Sequence, residues 1–152
     1  MKIKIGDRIP SFSLKDQNNK LIDIDSFQGK EKLVIFFYPK DESPGCTAQA
    51  CAFRDAYQDF TDHGATVIGI SSDSEESHKK FKDHHQLPFI LLSDPDGKIR
   101  KLFGVPKSML GILPGRVTYV TDKDLVVQHI FNSQLKIEKH IEESLEVIRK
   151  IN

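Results

Sequence analysis

The chain's only two thiols, Cys46 and Cys51, stand five residues apart in the stretch YPKDESPGCTAQAC, the first directly after Ser43-Pro44-Gly45. Ser-Pro-Gly is a helix-start signature, with serine at the N-cap and proline in the first turn, where its missing N–H costs nothing. Cys46 is therefore expected in the first turn of a helix. Unpaired backbone N–H groups and the positive end of the macrodipole favour a thiolate there, so the thiol pKa should fall, and the thiolate is the nucleophilic form. On the same helix Cys51 would lie about 140° round and about 7.5 Å further along, with the two Cα atoms about 8.6 Å apart. A disulfide tolerates at most about 7 Å. Either the two never bridge, or the helix unwinds to let them.

Blander readings compete unequally. A cysteine on an apolar helix face is most often a small buried hydrophobe, and for Cys51, flanked by alanines and near Phe53, that reading stands level with the chemical one. For Cys46 it is weaker, because a packing cysteine needs neither a Pro-Gly loop nor a capped helix start. Two cysteines five apart lack the usual zinc-ligand spacing, and the histidines at 63, 78, 84, 85, 129 and 140 sit mostly in polar or charged segments, so no metal is expected. A dithiol oxidoreductase would use Cys-x-x-Cys, which the chain lacks.

The elements that must carry these residues can be read from periodicity. Phe12 to Ile24 alternates about an Asn-Asn pair and reads as a hairpin. Leu33 to Tyr38, LVIFFY, is an unbroken apolar run expected as a central strand buried on both faces. Ala48, Cys51, Ala52, Ala56 and Phe60 fall on helical spacings that Gly64 ends. Thr66 to Ser71 reads as a second buried strand, and the following Glu75 to His85 as a charged helix with a solvated face and no function of its own. Strand, helix, strand, helix implies a right-handed parallel crossover. Phe89 to Leu92, the turn Asp94 to Gly97, a short helix KIRKLFG, strands Val117 to Val120 and Val126 to Ile130, and a terminal helix on Ile137, Ile141, Leu145 and Ile148 complete the chain. The result is α/β, a mixed central sheet flanked by helices, with an N-terminal hairpin.

Length and composition bound the function. The 152 residues, 38% hydrophobic, suit one domain, 1–152, with a substantial core. Lys plus Arg and Asp plus Glu both number 22, so no basic face points to nucleic acid or anionic lipid. The N-terminus has no apolar leader and no stretch is long enough to cross a bilayer, from which a soluble, cytoplasmic protein is expected.

The segment FFYPKDESPGCTAQACAFRD resembles the active-site segment of the peroxiredoxins, whose Pro-x-x-x-(Thr/Ser)-x-x-Cys motif is matched by Pro39, Ser43 and Cys46. A second cysteine five residues on is similar to the peroxiredoxin Q, or bacterioferritin comigratory protein, subfamily. FQGKEKLVIFFYP, VIGISSDS, LLSDPDG, LFGVP and LPGRVTYV follow in family order, so the resemblance covers nearly the whole chain. It implies a thioredoxin-like fold, with Cys46 as peroxidatic cysteine, Cys51 as resolving cysteine, Pro39 as shield of the pocket, Ser43 as peroxide-positioning hydroxyl and Arg116 as the active-site arginine. A fixed guanidinium suits the chemistry, since negative charge develops on the departing oxygen of a cleaved O–O bond. Two departures stand out: serine replaces the more usual threonine at 43, and Gln49 replaces the glutamate of many bacterial relatives, which puts a carboxylate role at 49 in doubt. The apolar loop Ser108 to Gly115 either lines the pocket, meets a partner, or covers the core.

The expected activity is thiol peroxidation of hydrogen peroxide and alkyl hydroperoxides. Cys46 would become a sulfenic acid and condense with Cys51 to an intramolecular disulfide, which the resemblance gives to thioredoxin to reduce, with no metal, haem or flavin. A monomer is implied, the resolving cysteine being in the same chain. The alternative is a redox sensor or chaperone-like binding domain that uses the same thiols without sustained turnover.

Overall fold

The computed structural model describes residues 2–108 and 113–151. The hairpin about Asn18-Asn19 forms from β1 (Ser13–Asp16) and β2 (Leu21–Asp23). Asp16 Oδ1 closes it by accepting from the backbone N–H groups of Asn18 (2.8 Å) and Lys20 (2.9 Å). Asn19 supplies a φ of 62°, in the left-handed region that asparagine tolerates.

The LVIFFY run becomes β3 (Lys32–Phe37), paired parallel with β4 (Ala65–Ser71) and antiparallel with β8 (Val117–Thr121). β5 (Ile90–Ser93) and β9 (Val127–Asn132) extend the sheet to the order β2-β1-β5-β4-β3-β8-β9. A separate two-stranded ribbon pairs β6 (Lys107–Ser108) with β7 (Leu113–Pro114). The expected apolar loop 108–115 falls largely there, and its centre, residues 109–112, lies outside the described residues.

Successive side chains of β3 feed opposite faces, as strand geometry requires. Leu33, Ile35 and Phe37 join a core with Ile68, Ile70, Tyr119 and, from α4 (Lys98–Phe103), Ile99 and Phe103. Val34, Phe36 and Tyr38 join a second core beneath α1 (Pro44–Asp55), α2 (Tyr57–Asp62), α3 (Glu75–His85) and α5 (Ile137–Lys150). Helices thus cover both faces of a mixed sheet, as the sequence led one to expect.

Three expectations need correction. The single helix running to Gly64 is broken at Ala56 (φ −95°, ψ 2°) into α1 and α2, and the break turns Phe60 into the core, 5.8 Å from Phe53. Its buried face is also shifted: Cys46, Gln49, Ala50 and Phe53 face inward while Ala48 is exposed. The ring of Phe53, stacked 4.6 Å from that of Phe36, decides the phase, because an aromatic buries about 150–250 Å² and far outweighs alanine methyls. Finally, α3 is not merely a solvated face, since His78 and Phe81 on it are fully buried.

His140 is likewise buried, and it joins α5 to the sheet. Its Nε2 donates to the Ser133 carbonyl at 2.7 Å, which leaves Nδ1 to accept from the Thr118 hydroxyl at 2.7 Å. Burial pushes its pKa down from 6.5 to about 4, against the opposing effect of the Ser133 hydrogen bond. Between those two values the unfolded chain binds a proton that the folded chain does not, so stability should fall as pH drops from 6.5 to about 4. The full loss is about 3 kcal/mol. Denaturant unfolding across this window should show the decline in the native sequence and a smaller one in His140→Gln. Equal pH dependence of the two would contradict the assignment.

Candidate active site

The chain leaves β3 at Tyr38, which is 1% exposed, and the loop that follows is tied down before α1 begins. Tyr38 donates its hydroxyl to Asp41 Oδ1 at 2.6 Å. Asp41 Oδ2 accepts from Ser77 Oγ at 2.8 Å and faces His78 Nδ1 at 2.7 Å, while His78 Nε2 faces the Leu92 carbonyl at 3.0 Å. The backbone N–H of Asp41 donates to Asp73 Oδ2 at 2.8 Å. Burial, and after it the charge of Asp41, holds the Tyr38 phenol well above its ordinary pKa, so it stays a donor. A buried network of this kind, with its members mutually satisfied, rigidifies what it joins. Here it joins the loop before the thiols to α3 and β5.

Ser43 takes the extended N-cap conformation (φ −69°, ψ 149°), and Pro44 opens α1. The expected side-chain cap is not made. The Ser43 hydroxyl instead donates to the Lys40 carbonyl at 2.8 Å, leaving its lone pairs available to another donor. Cys46, third residue of the helix, is 1% exposed. Pro39 is half-buried on the same loop.

Arg116, at the entry to β8, meets Cys46 across the helix start. Its Nη2 donates to Cys46 Sγ at 3.3 Å and its Nη1 to Gln49 Oε1 at 2.6 Å. Arg116 is 3% exposed, and no carboxylate pairs with it among the described residues. A buried charge is costly unless it is met by polar partners, and here the guanidinium is met by the Cys46 sulfur and the Gln49 carbonyl oxygen. Arg116 Nε and Gln49 Nε2 have no protein partner, which leaves two buried donors beside the thiol.

Two glycines permit this approach. A Cβ on Gly45 would lie 3.0 Å from Arg116 Nη2, and one on Gly115 would overlap the Pro106 carbonyl oxygen. A second guanidinium supports the first from the opposite face of the sheet. Arg100 donates to the Gly115 carbonyl at 2.7 Å and to the Tyr38 carbonyl at 3.0 Å, and lies over the Phe37 ring at 5.6 Å. Burial lowers its pKa, while the charges of Asp94, Tyr119 and Cys46 act the other way.

The structure thus brings Cys46 and Arg116 together, and gives Gln49 a role the sequence left open: it orients the arginine as an amide, without a carboxylate. It does not join the cysteines. Both are free thiols, Cys51 being half-buried within the same unbroken helix. Sequence reasoning missed Arg100 and the Asp41–His78 pair; each is remote in sequence from what it holds, and only the charged helix pattern around His78 was visible.

A helix N-terminus, a guanidinium and spare buried donors around one sulfur form a site for thiolate nucleophilic chemistry on a substrate whose leaving atom gains negative charge. Comparison with known proteins bears this out at the level of family. The AhpC/TSA family model matches residues 5–130. Proteins named peroxiredoxin Q, chloroplastic, from Populus jackii and Oryza sativa subsp. japonica are 53% and 51% identical over 150 residues, 99% of this chain and 70% and 69% of theirs. The crystal structure of peroxidoxin BcpB from Mycobacterium tuberculosis superposes with a TM-score of 0.90, at 34% identity and covering 99% of both chains. These relatives overturn the expectation of a cytoplasmic protein, since both plant proteins are named as chloroplastic. With its thioredoxin-like mixed sheet and the Cys46–Arg116 site, the chain belongs to the AhpC/TSA family, in the peroxiredoxin Q branch of thiol peroxidases.

Proposed function

We propose that Cys46 is the peroxidatic cysteine and Cys51 its resolving partner, in a cycle that reduces hydrogen peroxide and alkyl hydroperoxides. The thiolate of Cys46 attacks one peroxide oxygen. An S–O bond forms as the O–O bond breaks, and the departing alkoxide or hydroxide takes up a proton to leave as alcohol or water. Cys46 is then a sulfenic acid. The Cys51 thiol attacks that sulfur, a disulfide forms and water leaves; an external dithiol, with thioredoxin as the natural candidate, returns both cysteines to thiols by exchange.

The observation that carries this reading is the 3.3 Å contact between Arg116 Nη2 and Cys46 Sγ at the start of α1. The guanidinium that balances the thiolate is placed to follow the charge as it moves to the departing oxygen. Ser43, whose hydroxyl donates to Lys40, accepts from the peroxide O–H, and Pro39 shields the pocket from water. One domain in a single chain holds the whole cycle, so a monomer suffices.

In a coupled assay with thioredoxin and its reductase, the native protein should consume peroxide in large excess over itself. Cys46→Ser should consume none, and Cys51→Ser about one equivalent. Retained coupled activity in Cys46→Ser would refute the assignment, and a native protein that stops after about one equivalent would make it a sensor. A subtler variant isolates the arginine. Gly45→Ala gains helix propensity of up to about 1 kcal/mol but crowds Arg116 Nη2, so thermal stability should hold or rise while the rate of Cys46 oxidation by peroxide falls several-fold. Unchanged oxidation kinetics would remove Arg116 from the chemistry.

A further inference from the structure

Beside the thiol site lies one set of ligating side chains that the peroxidase cycle leaves unused. Glu42 belongs to the loop before α1, and His84 and His85 close α3. Glu42 Oε2 is 2.9 Å from His84 Nδ1, and Glu42 Oε1 is 2.7 Å from His85 Nε2. The ligand atoms of all three residues lie within 4.8 Å of one another.

Several features make this more than a chance surface contact. Glu42 has a φ of 63°, a left-handed conformation uncommon for a residue with a Cβ, and in it the carboxylate meets the end of α3. His85 is anchored: its carbonyl accepts from Arg54 Nη1 at 2.7 Å, and its ring packs edge-on to Phe81 at 5.3 Å. The two imidazoles lie 4.1 Å apart. Both present a ring nitrogen to the same carboxylate, and a neutral imidazole that carries its N–H on the other ring nitrogen offers a lone pair there to a metal ion. A second cluster, Asp41, Asp73 and His78, has two carboxylates to one imidazole, and its ligand atoms are already engaged with Tyr38, Ser77, Ser71 and backbone groups.

Two imidazole nitrogens and one carboxylate oxygen form a donor set suited to zinc. Tetrahedral zinc, with bonds of about 2.0–2.1 Å, needs its ligand atoms about 3.4 Å apart. The three atoms already lie within 4.8 Å of one another, and the His84 side chain, 67% exposed, is free to rotate the rest of the way. A fourth position would remain for water. The site would link residue 42, four positions before Cys46, to a helix that the buried Asp41–His78 network already holds.

We propose that Glu42, His84 and His85 form a three-ligand zinc site beside the thiol loop, and that the bound ion braces the loop against the opening that joins Cys46 to Cys51. The binding stands on geometry alone; the brace rests on the proposed cycle.

Calorimetric titration of Zn²⁺ into the full chain carrying Cys46→Ser and Cys51→Ser tests binding without thiol ligands. One equivalent should bind, and His84→Ala or His85→Ala, each checked for an intact fold by circular dichroism, should weaken it at least about tenfold. Equal affinity in the histidine variants and their parent would overturn the site. In the thiol-containing protein, disulfide formation after one equivalent of peroxide should be slower with Zn²⁺ present, and the slowing should vanish in the His84→Ala/His85→Ala variant. Equal slowing in both, or none in either, would overturn the brace. No disulfide with or without zinc would count against the peroxidase cycle instead, leaving the site to be decided by the calorimetry.

Discussion

A continuous α-helix cannot bring two residues five apart within disulfide reach. Cys46 and Cys51 both lie in α1, from Pro44 to Asp55, where ideal geometry sets their Cα atoms about 8.6 Å apart against a limit of about 7 Å. The rest of the site can be understood from this constraint. The helical form gives Cys46 a first-turn position, with the dipole and N–H groups that favour a thiolate. The bridged form requires those turns to come apart. The attack and resolution proposed for these two cysteines therefore call for different conformations of one segment.

The anchoring of α1 is suited to such a division. Its far half is held by Phe53, fully buried and stacked on Phe36, and its preceding loop by Asp41 on His78, Ser77 and Asp73. Between them, the first turns are held by the burial of Cys46 and Ala50 and by the Arg116 contacts to Cys46 and Gln49. On the proposed cycle, oxidation of Cys46 changes the sulfur that Arg116 Nη2 contacts, and with it part of what keeps Cys46 turned inward. Helix ends open at low cost in general. The fold thus fixes both borders of the segment, and on the proposed cycle the turns between them are the part that opens.

Much of this could be read from the sequence, and the rest fails for identifiable reasons. Ser43-Pro44-Gly45 located the helix start, since proline and glycine act through the local backbone, and LVIFFY located the central strand through an apolar run that admits no solvated face. The phase of α1 was misread because alanine spacing was given the weight that the single ring of Phe53 carries. Ser43 sits at the N-cap but donates its hydroxyl to the Lys40 carbonyl and accepts from no N–H of the first turn, a choice that composition does not encode. Arg100, His78 and the Glu42, His84, His85 cluster depend on contacts across 37 to 62 positions of chain, where no local pattern points from one partner to the other. The compartment failed for a different reason, as nothing in a folded domain's chemistry specifies the membrane it lies behind.

Amide hydrogen exchange on residues 45–53, compared between the reduced and the peroxide-oxidised protein, tests the unwinding of α1 most directly. With the Cys46–Cys51 disulfide verified by mass spectrometry, exchange over these residues should be markedly faster in the oxidised protein, while α5, from Ile137 to Lys150, keeps its protection. Equal protection of residues 45–53 in both states would contradict the account, because the disulfide would then have formed within an intact helix.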